Sequence, residues 1–177
     1  VDRIIDLASS IPKKYKKRFS FIIVGDFSLP RLLPNKLRLL GLKGKTLRDY
    51  AIKKNVGSMV TFLGHISEIN KIFDKVDILI KPSRENNPWG RDIIEAIGNG
   101  KAVISIGSYD KFVNKNTGLL VAEFIEKDIV KWLLKISNNL NSLNFYKKNA
   151  ILTAKKFNDP KKHSLKVENF WKKVIEK

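Results

Sequence analysis

Residues 81–104 read KPSRENNPWGRDIIEAIGNGKAVI and hold the densest run of side chains suited to ligand chemistry. Pro88, Trp89 and Gly90 lead into an expected short helix over residues 91–98. A helix N-terminus presents unpaired backbone N–H groups that stabilise phosphate. Gly90, lacking a side chain, would let that backbone approach a diphosphate closely. Glu95 falls about one turn inside the helix, where its carboxylate can accept two hydroxyl hydrogen bonds. Each residue also has a plainer reading. Glu95 can be a solvated helix glutamate, Trp89 a core aromatic, and Arg91 either a neutraliser of diphosphate charge or a solvated side chain.

The elements that must hold this segment follow from apolar periodicity. An apolar stripe predicts a helix over residues 1–11, ended at Pro12. The basic run Lys13-Lys14-Tyr15-Lys16-Lys17-Arg18 reads as a solvated loop. Strands are expected at 19–24, 60–63, 76–80, 102–106 and 119–121. Helices are expected at 46–55, from a cap at Ser67 to about Phe73, and at 91–98. Residues 27–43 read as a loop with a short helical turn. Strands alternating with helices, the strands nearly continuously apolar, predict an α/β fold: a Rossmann-like parallel sheet with helices on both faces. A helical C-terminal tail follows, with helices near 126–139, 142–157 and 162–176, broken at Asp159-Pro160. The whole reads as one domain over residues 1–177, an α/β core to about 125 and a helical tail from 126. In such sheets ligands sit beyond the carboxyl ends of the strands. That adds Gly25 and Asp26, then Gly64, His65 and Ile66, and the loop 107–118 as candidate linings. His65 alone is not a convincing acid or base, and His163, in the polar tail, reads as solvated.

Five segments in order resemble the donor-binding part of family-four retaining glycosyltransferases of the GT-B fold. They are Ile22-Ile23-Val24-Gly25-Asp26, Val60-Thr61-Phe62-Leu63-Gly64-His65-Ile66-Ser67, Val76-Asp77-Ile78-Leu79-Ile80, the 81–104 run, and Thr117-Gly118-Leu119-Leu120-Val121. The family pattern in the 81–104 run is Pro-Ser, an acid, Pro-Phe-Gly, a helix with Glu-Ala, then Gly-Lys-Pro-Val-Ile. The resemblance covers about residues 1–125. It implies that Asn87, Pro88, Trp89, Gly90, Arg91 and Glu95 bind the sugar-nucleotide donor, with Glu95 on the ribose. It implies that Gly64, His65 and Ile66 lie along the base, mainly through backbone groups, and that Gly25 and Asp26 line the cleft. Two departures stand out: Trp89 replaces the usual Phe, and Asn87 occupies the place of a glutamate eight residues before Glu95. Asn87 can still hydrogen-bond sugar hydroxyls, but it brings no charge.

The implied reaction moves a sugar from a nucleoside diphosphate to a hydroxyl acceptor in polysaccharide, glycan or glycolipid synthesis, with retained configuration. The leaving diphosphate would be stabilised by helix dipoles and basic side chains. The nucleoside-diphosphate sugar is then a substrate; no cofactor and no metal are expected, and no Asp-x-Asp motif is present. In the family an N-terminal acceptor-binding domain of the same protein faces the donor domain and supplies much of the chemistry. The chain opens at Val1, so the donor domain's first strand, with the basic pair that grips the diphosphate, is expected upstream. The 177 residues alone are expected to be inactive. The last helix would cross back to the N-terminal domain and, in this chain, expose Phe170, Trp171 and Ile175.

Composition bounds the alternatives. The chain has 177 residues, no cysteine and two histidines, which excludes disulfides and thiolate metal sites. No apolar run approaches the length of a membrane span. The net charge is +18, from 28 Lys and 7 Arg against 17 acidic residues. Lysines spread along the whole chain suit compositional drift. They also suit attraction to an anionic membrane surface, with the protein cytoplasmic or peripheral on the membrane. Competing readings are a basic module binding nucleic acid or an anionic surface, and a non-catalytic scaffold derived from a transferase. No nucleic-acid-binding signature appears, so no specific nucleic acid is expected. No Gly-x-Gly-x-x-Gly follows a strand, which disfavours a dinucleotide enzyme.

Overall fold

The computed structural model describes residues 1–25, 46–85, 87–88, 90–157 and 159–175. These form two compact units, residues 1–72 with 123–139 and residues 73–122 with 140–177.

In the first unit, helix α1 (Asp2–Ser10) buries Ile4, Ile5, Leu7 and Ala8 on one face. Its spacing is the stripe read from the sequence, and the chain leaves it in an extended conformation at Ile11, before Pro12. Lys13–Arg18 is a 3-10 helix rather than an irregular loop, closed by Tyr15 N–H donating to the Pro12 carbonyl at 2.8 Å. It buries no residue. Its cations stay at the surface, with Lys14 and Arg18 over the Tyr15 ring. Strand β1 (Phe21–Val24) pairs in parallel with β2 (Val60–Gly64). Between them, α2 (Leu47–Lys53) opens with a capping box in which Thr46 and Asp49 each satisfy the other's backbone N–H. A short helix α3 (Ile69–Phe73) follows β2 and starts two residues beyond Ser67, with Glu68 directly before it. Helix α5 (Glu126–Asn138) packs on α1 and buries Ile129, Val130, Leu133 and Ile136. The expected loop at 27–43 lies outside the described residues, as does Asp26.

The second unit holds three parallel strands in the order β3 (Ile78–Lys81), β4 (Ala102–Ile106), β5 (Gly118–Val121). Every residue of the central β4 is buried, the pattern of a strand covered on both faces. Helix α4 (Arg91–Gly98) runs between β3 and β4 and turns Ile93, Ala96 and Ile97, all fully buried, onto β4 and onto α6 (Ser142–Phe157). Burying each isoleucine stabilises the unit by about 1.5–3 kcal/mol. That anchored stripe leaves the first turn of α4, and Glu95 one turn on, available for chemistry. The last helix, α7 (Pro160–Ile175), starts two residues earlier than the periodicity predicts. Phe170, Trp171 and Ile175 are indeed exposed on it. The architecture is the expected one: α/β, with parallel strands and a helical tail.

Candidate functional site

Parallel pairing sets Lys81 beside Ser105, at the carboxyl ends of β3 and β4. The chain turns immediately after β3, with Ser83 N–H donating to the Lys81 carbonyl at 2.9 Å. A second tight bond follows, Asn87 N–H to the Glu85 carbonyl at 2.6 Å. Asn87 is exposed and Pro88 buried. Trp89 lies outside the described residues. Gly90 is the N-cap of α4, and its carbonyl accepts from Ile93 N–H and Ile94 N–H, both at 3.1 Å. By helix geometry the N–H groups of Arg91 and Asp92 have no partner within the helix.

Charge gathers around this mouth. The Lys81 ammonium reaches over from the end of β3 and pairs with Asp92 Oδ1 at 2.9 Å. The same Asp92 oxygen accepts from Ile93 N–H at 3.0 Å. Gly90 leaves room for this crossing. A Cβ at position 90 would stand 2.5 Å from Lys81 Nζ and 2.7 Å from Asp92 Oδ1. The glycine therefore keeps the helix mouth open to an ammonium, in addition to any ligand. One turn on, Glu95 is half-buried and meets Arg91 Nε through Oε1 at a loose 3.5 Å. Arg91 is almost fully exposed, at 91%. A partner held that loosely by a solvated arginine is readily exchanged for another donor. Glu95, Gly90 and Arg91 are thus together, as the sequence predicts. Lys81 and Asp92 are additions that the sequence reading left unassigned. The available signal was a lysine closing the apolar run Ile78-Leu79-Ile80 at a strand's carboxyl end.

In the first unit the ends of β1 and β2 meet directly. Gly25 N–H donates to the Gly64 carbonyl at 2.8 Å. Both residues have positive φ, 115° and 76°, conformations that favour glycine. His65 is exposed and Ile66 half-buried, and His65 has no catalytic partner among the described contacts. Among the described residues no three His, Asp or Glu side chains gather as a metal site. No helix among them is long and apolar enough to cross a membrane.

A family model, glycosyl transferases group 1, matches residues 1–153. The chain belongs to this family. The similarity to solved structures agrees in fold. HepE from Anabaena, solved with UDP, is 18% identical with a TM-score of 0.77, over 97% of this chain and 44% of that one. Sucrose-phosphate synthase from Thermosynechococcus elongatus is also 18% identical, TM-score 0.75, over 99% and 42%. The C-terminal domain of a glycosyl transferase group 1 family protein, LpcC, from Francisella tularensis is 19% identical, TM-score 0.68, over 90% and 79%. The chain thus spans less than half the length of HepE and of the synthase, and most of an isolated C-terminal domain. No curated protein sequence matches it. The shared fold is the Rossmann-like half of a GT-B glycosyltransferase.

Proposed function

We propose that this chain is the donor-binding part of a retaining glycosyltransferase that transfers a sugar from a nucleoside diphosphate to a hydroxyl acceptor. The acceptor-binding partner is a further domain of the same protein, and the product is a polysaccharide, glycan or glycolipid. The observation that carries this reading is the mouth of α4. Gly90 opens a helix N-terminus, two cationic side chains, Lys81 and Arg91, flank it, and a half-buried carboxylate, Glu95, stands one turn inside.

The chemistry follows from the charges. Departure of the sugar leaves a diphosphate whose growing charge must be met by preorganised donors. The α4 dipole, the N–H groups of Arg91 and Asp92, and the Lys81 and Arg91 cations supply those donors without a metal. Lys81 is held in reserve by Asp92 and turns to phosphate when the donor arrives. Glu95 releases Arg91 and accepts the ribose hydroxyls. Asn87 faces the sugar hydroxyls as an uncharged donor and acceptor. Pro88, buried beside the exposed Asn87, shapes the loop before α4. HepE has been solved with UDP and with UDP-glucose, so uridine derivatives are the first probes for this chain.

Calorimetric titration with uridine and guanosine diphosphates and their sugar conjugates, near 0.3 M salt to screen non-specific attraction, tests the reading. Saturable binding that prefers one base is expected. Glu95→Ala should weaken it by about 1–3 kcal/mol, the range for hydroxyls left without a charged partner. Unchanged affinity in that variant would remove Glu95 from the site.

A further inference from the structure

We propose a second anion site, for a single phosphate group, in a shallow cavity built around Phe157. The cavity measures about 180 Å³ and is lined by Lys111, Lys156, Phe157, Asp159, Lys162, His163 and Lys166. It lies entirely within the second unit, and six of its seven residues fall beyond residue 153, where the family match ends.

The sequence builds it locally. Asp159 caps α7, its Oδ1 accepting from Lys161 N–H at 3.0 Å and Lys162 N–H at 3.3 Å. Lys162, His163 and Lys166, in the first two turns of α7, line the cavity with Phe157. His163 is fixed there, because Nε2 lies 2.7 Å from the Phe157 carbonyl oxygen, which can only accept. The proton is therefore on Nε2, and Nδ1 is left for other work. The Phe157 ring is seated against the buried Phe112, edge to face, with centroids 5.7 Å apart. The ring in turn carries two ammonium groups, Lys111 at 4.7 Å and Lys156 at 5.2 Å from its centroid. Lys162 and Lys166, one turn apart on α7, complete the wall.

Four cations thus face one cavity against a single carboxylate, and that carboxylate already serves the α7 backbone. None of the four lysines forms an ion pair among the described residues. A ring face holds an ammonium without neutralising it. A concave wall of one sign over an apolar floor focuses the field outward. A compact dianion relieves the mutual repulsion of the lysines. Lysine ammonium groups serve phosphate as point charges, with no need for arginine's planar fork. The cavity takes one such group rather than the row of phosphates that a nucleic acid presents. The phosphate comes either from a lipid headgroup or from a soluble phosphate ester.

His163 is one of only two histidines in the chain, so its ring signals report the cavity directly. The first test follows them by NMR while inorganic phosphate is added near 0.3 M salt, where long-range attraction is screened. A saturable shift is expected. The triple variant Lys111→Gln, Lys156→Gln, Lys166→Gln should bind phosphate roughly tenfold or more weakly. A variant of equal charge loss, Lys13→Gln, Lys14→Gln, Lys17→Gln, should bind as the parent does. Thermal midpoints identify any variant that fails to fold, and single Lys→Gln changes then replace the triple. Uridine diphosphate affinity should be the same in all of them, so this site and the donor site stand or fall separately. Co-sedimentation with phosphatidic acid vesicles assigns a lipid headgroup, and phosphate binding without vesicle binding assigns a soluble ester. A shift that never saturates, or equal weakening in both triple variants, would overturn the proposal. So would polynucleotide binding that competes with phosphate and weakens equally in both.

Discussion

Two lysine–carboxylate pairs in this protein have the same length and opposite settings. In the first unit Lys54 meets Asp6 Oδ1 at 2.9 Å, and Tyr50 Oη donates to the same oxygen at 2.6 Å. One carboxylate thereby ties α1 to α2 and its C-cap, and no backbone group of a helix mouth is involved. In the second unit Lys81 meets Asp92 Oδ1 at the same 2.9 Å, but across the open N-terminus of α4 and over a glycine. The separation cannot tell these roles apart; the surroundings can. A carboxylate with two side-chain donors from one neighbouring helix is a fastening. A cation paired with a first-turn acid at a helix mouth fits the binding role proposed for Lys81.

The largest effect that follows falls on binding. Lys81→Met keeps the length of the side chain and removes its charge. It should weaken nucleotide affinity by about 1.5–3 kcal/mol, the worth of a hydrogen bond to a charged group, with little change in stability. The pair it breaks is half-exposed on the Asp92 side, and such pairs contribute about 0–1 kcal/mol. Calorimetry and a denaturant midpoint measured on the same preparation check the two halves. An unfolding effect without a binding effect would make Lys81 a second fastening and erase the contrast.

The next effect falls on stability alone. Tyr50→Phe removes the bond to Asp6 and should cost about 1 kcal/mol of unfolding free energy, leaving nucleotide affinity unchanged. Its pH dependence is specific. The hydrogen bond to the Asp6 carboxylate, helped by burial, holds the Tyr50 hydroxyl above the usual tyrosine value. The same carboxylate, then Tyr50, raises Lys54. Both groups lose protons more easily unfolded than folded, so their stabilisation is complete below pH about 10. It is lost as pH rises through the raised folded values. The parent's denaturant midpoint should therefore decline in that alkaline window, and the Tyr50→Phe midpoint should decline less.

The contrast also marks what could be read in the sequence. The frame of α4 and β4 was legible to the residue, Arg91–Gly98 and Ala102–Ile106, because one is an amphipathic stripe opened by a glycine and the other an unbroken apolar run. Gly90, Arg91 and Glu95 were legible for the same reason: they are neighbours along one helix. Lys81–Asp92 was not, since the loop between them has no periodicity to fix its path. Asp6 and Tyr50 are 44 positions apart, and no local pattern links them. Lys111 and Lys156 share one ring for tertiary reasons alone. The 3-10 helix at Lys13–Arg18 was missed because it buries nothing, so hydrophobic periodicity carries no trace of it. α3 shows the limit of capping signals: Ser67 has the right chemistry, yet the helix begins after Glu68.

The smallest expected effect sharpens the contrast most, because its sign is the opposite of the others. If Asp92 only parks Lys81, donor binding must first break that pair. Asp92→Asn keeps an oxygen able to accept from Ile93 N–H and removes the charge that holds the ammonium. Nucleotide affinity should then rise by up to about fivefold, the whole value of a partly exposed pair. The stability change should be small, since an acid in the first turn of a helix contributes about 0.3–1 kcal/mol through the dipole. In the first unit the matching change, Asp6→Asn, offers no such gain, because Asp6 competes with no ligand. A weaker-binding Asp92→Asn protein would mean that Asp92 itself orients the donor or holds Lys81 in its working position. Lys81 and Asp92 would then act as one fixed unit, much as Lys54 and Asp6 do.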